Sequence, residues 1–141
     1  MVESVLTREQ LQTVLVEAFP GTDQRVVEVT RTGVVSRLLI DARHSRPGGT
    51  VAGPSIMSLA DSVAWLAVMS RIGPVVLAVT TSLHIDFLRK AALNDLEATG
   101  EILKLGRRLA VVGVDVRSVG ETDLVARAQV TYSIPPPESR G

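Results

Sequence analysis

The stretch from Pro54 to Ser70 constrains this chain more than any other, because it is apolar on every side of a helix. Its residues are mostly Ala, Leu, Val, Ile, Met and Trp, and the single charged residue among them is Asp61. A helix of this composition is typical of a protein interior. Burying a carboxylate there costs several kcal/mol unless something pairs with it. We therefore predict a buried central helix whose one acid has a chemical role.

Glycine and proline surround the predicted start of this helix. Gly48, Gly49 and Gly53 allow the backbone to approach a ligand closely, and Pro54 suits the first turn of a helix. The first N–H groups of a helix have no partner within it, and the positive end of the helix dipole lies at the same point. The pattern predicts that backbone donors are directed at whatever binds in front of the helix.

The composition excludes several classes of protein. The 141 residues suit one domain, and 15 basic against 15 acidic residues leave no net charge with which to hold nucleic acid or an anionic membrane. Cysteine is absent, which excludes disulfides and thiolate chemistry, and no secretory signal pattern is present, so we expect a cytoplasmic protein. The 54–70 stretch is near the lower length limit for crossing a bilayer and contains Asp61. We therefore expect a helix in the protein core rather than one that crosses or binds a membrane.

Before the central helix, local patterns predict one helix and one hairpin. Thr7 and Gln10 form a capping-box pattern, apolar residues then follow at helical spacing, and Pro20 ends the helix. Two runs rich in valine, at 24–32 and 34–41, predict a β-hairpin. The residues from there to the central helix predict a loop.

After the central helix, alternation predicts strands. A long strand over 75–88 would present two faces: Val75, Leu77, Val79, Leu83, Ile85 and Phe87 on one, and Thr80, Ser82, His84 and Asp86 on the other. Three further runs follow with short turns. In the last two, apolar residues alternate inward: Ala110, Val112, Val114 and Val116, then Leu124, Ala126, Ala128, Val130, Tyr132 and Ile134.

This order of elements predicts an α+β layer architecture, in which a curved antiparallel sheet wraps around one helix. We divide the chain into an N-terminal helix and turn (1–22), a main domain (23–134) and a disordered tail (135–141). The tail is rich in proline and poor in apolar residues, so it cannot pack.

Three segments of the main domain resemble the hotdog-fold acyl-CoA thioesterases, most closely their PaaI-like, phenylacetate-degradation branch. They are GGTVAG with LAD at the central helix, AVTTSLHIDFLRKA on the next strand, and the Gly-Arg hairpin LKLGRRLAVVGVDV. The resemblance spans about 26–134. It implies a hotdog fold, hydrolysis of an acyl-CoA to a free acid and coenzyme A, and no cofactor or metal.

The resemblance also assigns residues, with three departures. Asp61 matches the acid of the family's Leu-x-Asp element, and Gly53 matches the first glycine of its His-Gly-Gly. Ala52 stands where the family has histidine, Pro54 where it has the second glycine, and Arg46 where it has asparagine. Pro54 has no N–H, so Gly53, with Ser55 as a further donor, would carry the contact to the oxyanion.

Thioester hydrolysis needs an activated water and a polarised carbonyl. Asp61 is the candidate general base or nucleophile, and the Gly53 amide is the candidate oxyanion donor. Eight helical positions separate them, which is roughly 12 Å along the axis. One thioester therefore meets both groups only if Gly53 of one subunit faces Asp61 of the other. Spacing and resemblance predict a homodimer with sites at its interface, and the resemblance allows a homotetramer.

The remaining candidate substrate-binding residues surround these two. They lie in the loop and helix start, on the central helix and on the following strand: Arg46, Gly49, Ala52, Pro54, Ser55, Trp65, Thr80, Thr81 and Ser82. The best basic cluster for the phosphates of coenzyme A is Arg89, Lys90, Lys104, Arg107 and Arg108. His44 and His84 are interpreted as surface residues, and two histidines with scattered acids do not predict a metal site.

Several alternatives stay open at this point. Asp61 could be a structural acid bonded to a neighbouring backbone group or to a serine such as Ser58 or Ser62. The departures at Arg46, Ala52 and Pro54 allow a non-catalytic protein that binds acyl-CoA or another small ligand. A hydratase on the same fold ranks lower, because residues 41–44 lack its Asp-x-Asn-x-x-His pattern, and a purely structural role would leave no pocket beside the helix start.

Overall fold

A computed structural model describes residues 2–137. The helices and strands are α1 (Arg8–Ala18), β1 (Gln24–Val29), β2 (Gly33–Leu38), β3 (Ser45–Arg46), β4 (Thr50–Val51), α2 (Gly53–Ile72), β5 (Val79–Phe87), β6 (Leu96–Leu105), β7 (Leu109–Ser118) and β8 (Leu124–Ser133). The long helix α2 packs against a six-stranded antiparallel sheet with strand order β1-β2-β6-β7-β8-β5. The predicted hotdog architecture, with its additional N-terminal helix, is confirmed.

Helix α1 begins as its capping box predicts. The Thr7 side chain accepts the Gln10 N–H, and the Gln10 side chain accepts the Thr7 N–H. The helix packs against the core through the buried Leu11 and Leu15. The Gln12 side chain also accepts the Val26 N–H at 2.7 Å. These contacts fix the end of α1 beside the sheet.

Helix α2 is the core of the domain, three residues longer than the 54–70 stretch. Residues 63–71 in its second half are buried, whereas Pro54, Met57 and Ser58 in its first half are exposed. By length and hydropathy alone the helix could cross a membrane, but 67% of its apolar window is buried inside the protein. Its exposed side is the one that carries Asp61.

The end of α2 contains a buried cation that the sequence patterns do not indicate. The Arg71 guanidinium donates to the carbonyl oxygens of Val2, Thr30 and Gly33 and to the Ser70 hydroxyl. Burial lowers the pKa of Arg71 below its ordinary value. Arg71 thus connects the N-terminal residues and the β1–β2 turn to the central helix.

Strands β7 and β8 alternate as predicted except at Leu124, which is only partly buried, because a register shift at this end of β8 places Val125 in the core instead. Ala110, Val112, Val114 and Val116 are buried, as are Ala126, Ala128, Val130, Tyr132 and Ile134. The β1–β2 hairpin is also confirmed. It lies so close to β6 that a Cβ atom on Gly33 would fall 1.7 Å from the Gly100 carbonyl oxygen, so this position requires glycine.

The prediction for β5 was wrong about where the strand begins and about which way the residues before its bulge face. The strand begins at Val79, because residues 75–78 form a turn rather than extended backbone. A β-bulge lies between Thr80 and Ser82, and it reverses the alternation at that point. Thr80 is paired with the buried Tyr132 and therefore faces α2 together with Leu83, Ile85 and Phe87. Val79 faces the opposite way.

Two smaller differences complete the fold. The predicted loop before α2 contains a short hairpin, β3–β4, whose turn includes Gly48 and Gly49 at positive φ. Of the predicted tail, residues 138–141 lie outside the described part of the chain, and residues 135–137 follow the buried Ile134, just past the end of β8.

Candidate active site

Asp61 is half-buried on α2 and faces a cavity of about 710 Å³. The Thr80 hydroxyl donates to its Oδ1 at 2.6 Å, and the Tyr132 hydroxyl donates to the same oxygen at 2.9 Å. Across residues 2–137, these two hydroxyls are the side-chain partners of the carboxylate, rather than Ser58 or Ser62. Both lie on the sheet, on β5 and β8, so the sheet fixes the orientation of an acid on the helix.

Tyr132 is a site residue that the sequence interpretation placed in the apolar core. It is buried and stands directly opposite Thr80 in the β5–β8 pairing. Its hydroxyl also lies 3.0 Å from the Asp61 carbonyl oxygen. Burial raises the pKa of the Tyr132 phenol far above its ordinary value, so it acts as a neutral donor. A buried tyrosine hydroxyl needs a partner, so the polar group of Tyr132 on a buried face was the one sign in the sequence that it could bond a buried acid.

The cavity follows one side of α2. Four residues at helical spacing line it along the helix: Ser55, Ser58, Asp61 and Trp65. Pro54, Ser62, Thr80 and Tyr132 complete its wall near the acid. Four of the predicted site residues besides Asp61 therefore share one cavity with it: Pro54, Ser55, Trp65 and Thr80.

His44 lines the same cavity, and its interpretation as a surface residue was wrong. It is only 8% exposed, and its Nε2 lies 2.6 Å from Asp23 Oδ2. Its Nδ1 accepts the Asp41 backbone N–H, which places the ring proton on Nε2, directed at Asp23. Both ring nitrogens are thus occupied. The His44 carbonyl accepts the Ala52 N–H at 2.7 Å, so this histidine holds the segment that leads into α2.

Gly53 is the first residue of α2, and its N–H is the free donor at the helix start. Pro54 has no N–H, and the Ser55 N–H donates to the Ala52 carbonyl oxygen at 3.1 Å. Ser55 is therefore already engaged, and its predicted share in the oxyanion contact passes to Gly53. No partner for the Gly53 N–H occurs among residues 2–137.

Gly53 lines a second, smaller cavity of about 330 Å³ that does not include Asp61. Arg46, Arg89 and Lys90 line this cavity as well, so a free backbone donor and three cations share one location. Arg89 is partly engaged, since its Nε donates to the Leu124 carbonyl oxygen. Arg46 and Lys90 make no ion pair with any described residue.

The five predicted coenzyme A cations do not form one cluster. Arg89 lies beside Leu124, where β8 begins, while the Arg108 carbonyl oxygen accepts the Ile134 N–H, just past the end of β8. Strand β8 spans ten residues, which is about 33 Å of extended backbone. Lys104 and Arg107 lie at the same β6–β7 hairpin as Arg108. Within one chain, the five basic residues therefore form two groups at opposite ends of β8.

Three other predicted residues lie apart from Asp61. Gly49 is in the exposed β3–β4 turn and lines neither cavity. The Thr81 hydroxyl donates to the Thr131 carbonyl oxygen at the bulge, and Ser82 faces away from α2. Within residues 2–137, no group of three or more His, Asp or Glu side chains is arranged to hold a metal ion.

Comparisons with known proteins identify relatives of this chain and its fold. A family model described as the thioesterase superfamily matches residues 48–132. The match covers more than half of the chain and includes α2, which lines both cavities. A Pseudomonas aeruginosa protein named as a putative esterase is 36% identical over 104 residues, covering 72% of this chain and 75% of its own.

Solved structures agree with this match. A crystal structure described as a putative thioesterase from Silicibacter sp. TM1040 superposes with a TM-score of 0.86 at 39% identity, covering 96% of each chain. The zebra fish thioesterase superfamily member 2 gives a TM-score of 0.79 at 24% identity, covering 92% of this chain and 99% of its own. At that identity, the second likeness shows the fold alone.

Proposed function

The chain belongs to the thioesterase superfamily, and on that basis we propose that it hydrolyses an acyl-CoA thioester to a free carboxylic acid and coenzyme A. The observation that carries this proposal is the Asp61 carboxylate, which lines a large cavity and is fixed there by two hydroxyl donors. The PaaI-like branch stays a prediction from the sequence, and the family match is compatible with it.

Asp61 would activate water or attack the substrate itself. Thr80 and Tyr132 both donate to Oδ1, which leaves Oδ2 without a partner among the described residues. As a general base, Oδ2 would take a proton from water while the water oxygen bonds to the thioester carbon. The C–S bond then breaks, and the thiolate of coenzyme A leaves and takes a proton. As a nucleophile, Oδ2 would first form an anhydride that water hydrolyses.

The Gly53 amide would stabilise the oxygen of the tetrahedral intermediate. Negative charge develops on the former carbonyl oxygen, and a fixed N–H at the positive end of a helix dipole stabilises that charge. The Gly53 N–H is free and fixed by α2 itself, which supports this role.

Gly53 and Asp61 would act together only across a subunit interface. They are separated by roughly 12 Å along α2 and line different cavities. Strand β5 is an edge of the sheet and carries exposed apolar side chains, with Val79 58% and Phe87 49% exposed. An unpaired apolar edge strand invites pairing with another chain. We therefore propose a twofold homodimer that pairs its β5 edges; association of two dimers into a homotetramer stays a prediction.

Coenzyme A would bind along the Gly53 cavity. Arg46, Arg89 and Lys90 lie there beside the oxyanion donor, and their charges suit phosphate groups. Lys104, Arg107 and Arg108 lie at the opposite end of β8, so they would reach the same nucleotide only from the other subunit. Pro54, Ser55, Trp65 and Thr80 would contact the acyl part in the Asp61 cavity.

A non-catalytic ligand-binding protein is the second candidate. Ala52 caps α2 without any side-chain hydrogen bond, at the position where the sequence resemblance expects histidine. A protein that retains its ligand without turnover would still need both cavities. The two candidates differ in whether Asp61 is required for cleavage.

Hydrolysis of a panel of acyl-CoA thioesters tests the proposal. The chain has no cysteine, so a thiol-specific reagent measures released coenzyme A without a protein background. We expect Asp61→Asn to lower kcat by about 10²- to 10⁴-fold, the range for loss of a general base. Glu28→Gln, which neutralises an exposed carboxylate on β1, should retain full activity. Wild-type turnover no faster than that of Asp61→Asn, with binding of coenzyme A retained, would favour the binding protein.

A further inference from the structure

The Asp61 cavity extends beyond the catalytic residues to the end of α1. Leu15, Ala18, Phe19 and Pro20 line it there, although α1 lies outside the sheet-and-helix core of the fold. Phe19 caps α1, and its N–H donates to the Leu15 carbonyl oxygen at 2.9 Å. The buried Leu11 and Leu15 hold the helix on the core. These contacts fix the backbone of Phe19 at the end of α1.

Phe19 meets Trp65 of α2 at this end of the cavity. The two ring centroids are 5.7 Å apart, and the rings are inclined at 76°, which is an edge-to-face contact. Trp65 is 6% exposed and Phe19 is 56% exposed, so Phe19 is the more accessible half of this pair. The chain has only four aromatic residues, and three of them, Phe19, Trp65 and Tyr132, line this one cavity.

The cavity changes character along α2. Near Asp61 its lining is polar, with Ser58, Ser62 and Thr80. One helical turn later, roughly 6 Å along the axis, Trp65 meets the apolar Leu15, Ala18, Phe19 and Pro20, while the polar Thr22, Asp23 and Gln24 of the following segment line another part of the cavity wall. A thioester has the same division, because its reacting carbonyl is polar and its acyl tail is apolar.

We propose that Phe19 and Trp65 close the acyl end of the cavity, and that Phe19 limits the length of the acyl group. This inference rests on the proposed thioesterase function and adds a specificity-determining residue to it. With the carbonyl at Asp61, the tail meets the two rings after about one helical turn. The preferred substrates are therefore thioesters of compact acyl groups, and the N-terminal helix sets that preference.

Two substitutions at Phe19 test the proposal in opposite directions. Steady-state kcat/KM is measured for butyryl-, hexanoyl-, octanoyl- and decanoyl-CoA, again by release of the free thiol. Phe19→Ala removes the accessible ring, so the optimum should move to a longer chain. Each additional methylene that becomes buried adds about 0.8 kcal/mol, which corresponds to roughly fourfold. Phe19→Trp enlarges the wall and should move the optimum to a shorter chain.

Val16→Ala is the matched control. Val16 is an exposed residue of the same helix and lines no described cavity, so its loss should leave the chain-length profile unchanged. The decanoyl-to-butyryl ratio of kcat/KM is the decisive readout, because a general loss of stability lowers both values together.

The possible outcomes separate the inference from the function on which it rests. A wild-type protein that hydrolyses none of the thioesters would overturn the proposed function, and the acyl-length role with it. An active wild type whose profile is the same in Phe19→Ala, Phe19→Trp and Val16→Ala would overturn the role of Phe19 alone.

Discussion

Tyr132→Phe is the most informative single substitution, because it removes one hydroxyl and keeps the ring. The lost group donates to Asp61 Oδ1 at 2.9 Å, while Thr80 still donates to the same oxygen at 2.6 Å. A hydrogen bond to a charged group contributes about 1.5 to 3 kcal/mol. If that contribution orients Asp61 in the transition state, kcat should fall by roughly 10- to 150-fold.

KM should change little, because Tyr132 holds the acid rather than the substrate. Stability should fall by no more than about 3 kcal/mol, since phenylalanine fills the same space and Asp61 keeps one donor. Thioester hydrolysis provides kcat and KM, and urea denaturation provides the stability of the same preparations.

A double-substitution cycle with Asp61→Ala decides whether Tyr132 acts through Asp61. In the Asp61→Ala background, adding Tyr132→Phe should lower the residual rate no further, because the group that Tyr132 orients is gone. A folded Tyr132→Phe protein with kcat within twofold of wild type would refute the orienting role. Equal losses in both backgrounds would show that Tyr132 acts on something other than Asp61.

Two further predictions concern the proposed oxyanion donor and the proposed dimer. Gly53→Ala keeps the N–H and places its Cβ at an ordinary 3.7 Å from Phe87, so activity should stay within a few-fold of wild type. Gly53→Pro removes the N–H at a helix position that tolerates proline and should lower kcat by about 10²- to 10³-fold. Equal rates for the two variants would exclude the Gly53 amide as the oxyanion donor. Val79→Asp places a charge on the exposed outer side of the β5 edge, away from both cavities, so light scattering should show the mass fall from twice 15.1 kDa towards 15.1 kDa, with activity lost at low protein concentration. A fully active monomer would contradict a shared site.

Elements with local causes could be predicted from the sequence. The capping box at Thr7 is a short-range pairing, and the alternation in β7 and β8 follows from a sheet with one buried face. The β5 bulge could not be predicted in this way. Strict alternation assumes one residue per pairing step, and the extra residue at Thr81 breaks that assumption and turns Thr80 towards α2.

The parts of the site that sequence reasoning missed depend on distant contacts. Tyr132 is separated from Asp61 by 71 positions, and His44 from Asp23 by 21, so no local pattern links either pair. The predicted basic cluster was wrong for a related reason, because residues that are close in sequence need not be close in space. A strand leads away from Arg89, and the hairpin that follows places Arg108 at the other end of β8.

The arrangement of α2 gives a physical reason for the proposed site shared between subunits. A helix presents its free N–H groups only at its start, but the sheet hydroxyls that fix Asp61 meet α2 two turns later. One rigid helix therefore cannot bring its own amide to its own acid. An antiparallel second copy of the same helix satisfies both requirements at once and does so twice, because a twofold axis makes the two sites equivalent. The eight-residue spacing between Gly53 and Asp61 then sets how far the two helices must be offset, so a change in this spacing should impair catalysis even where each subunit folds.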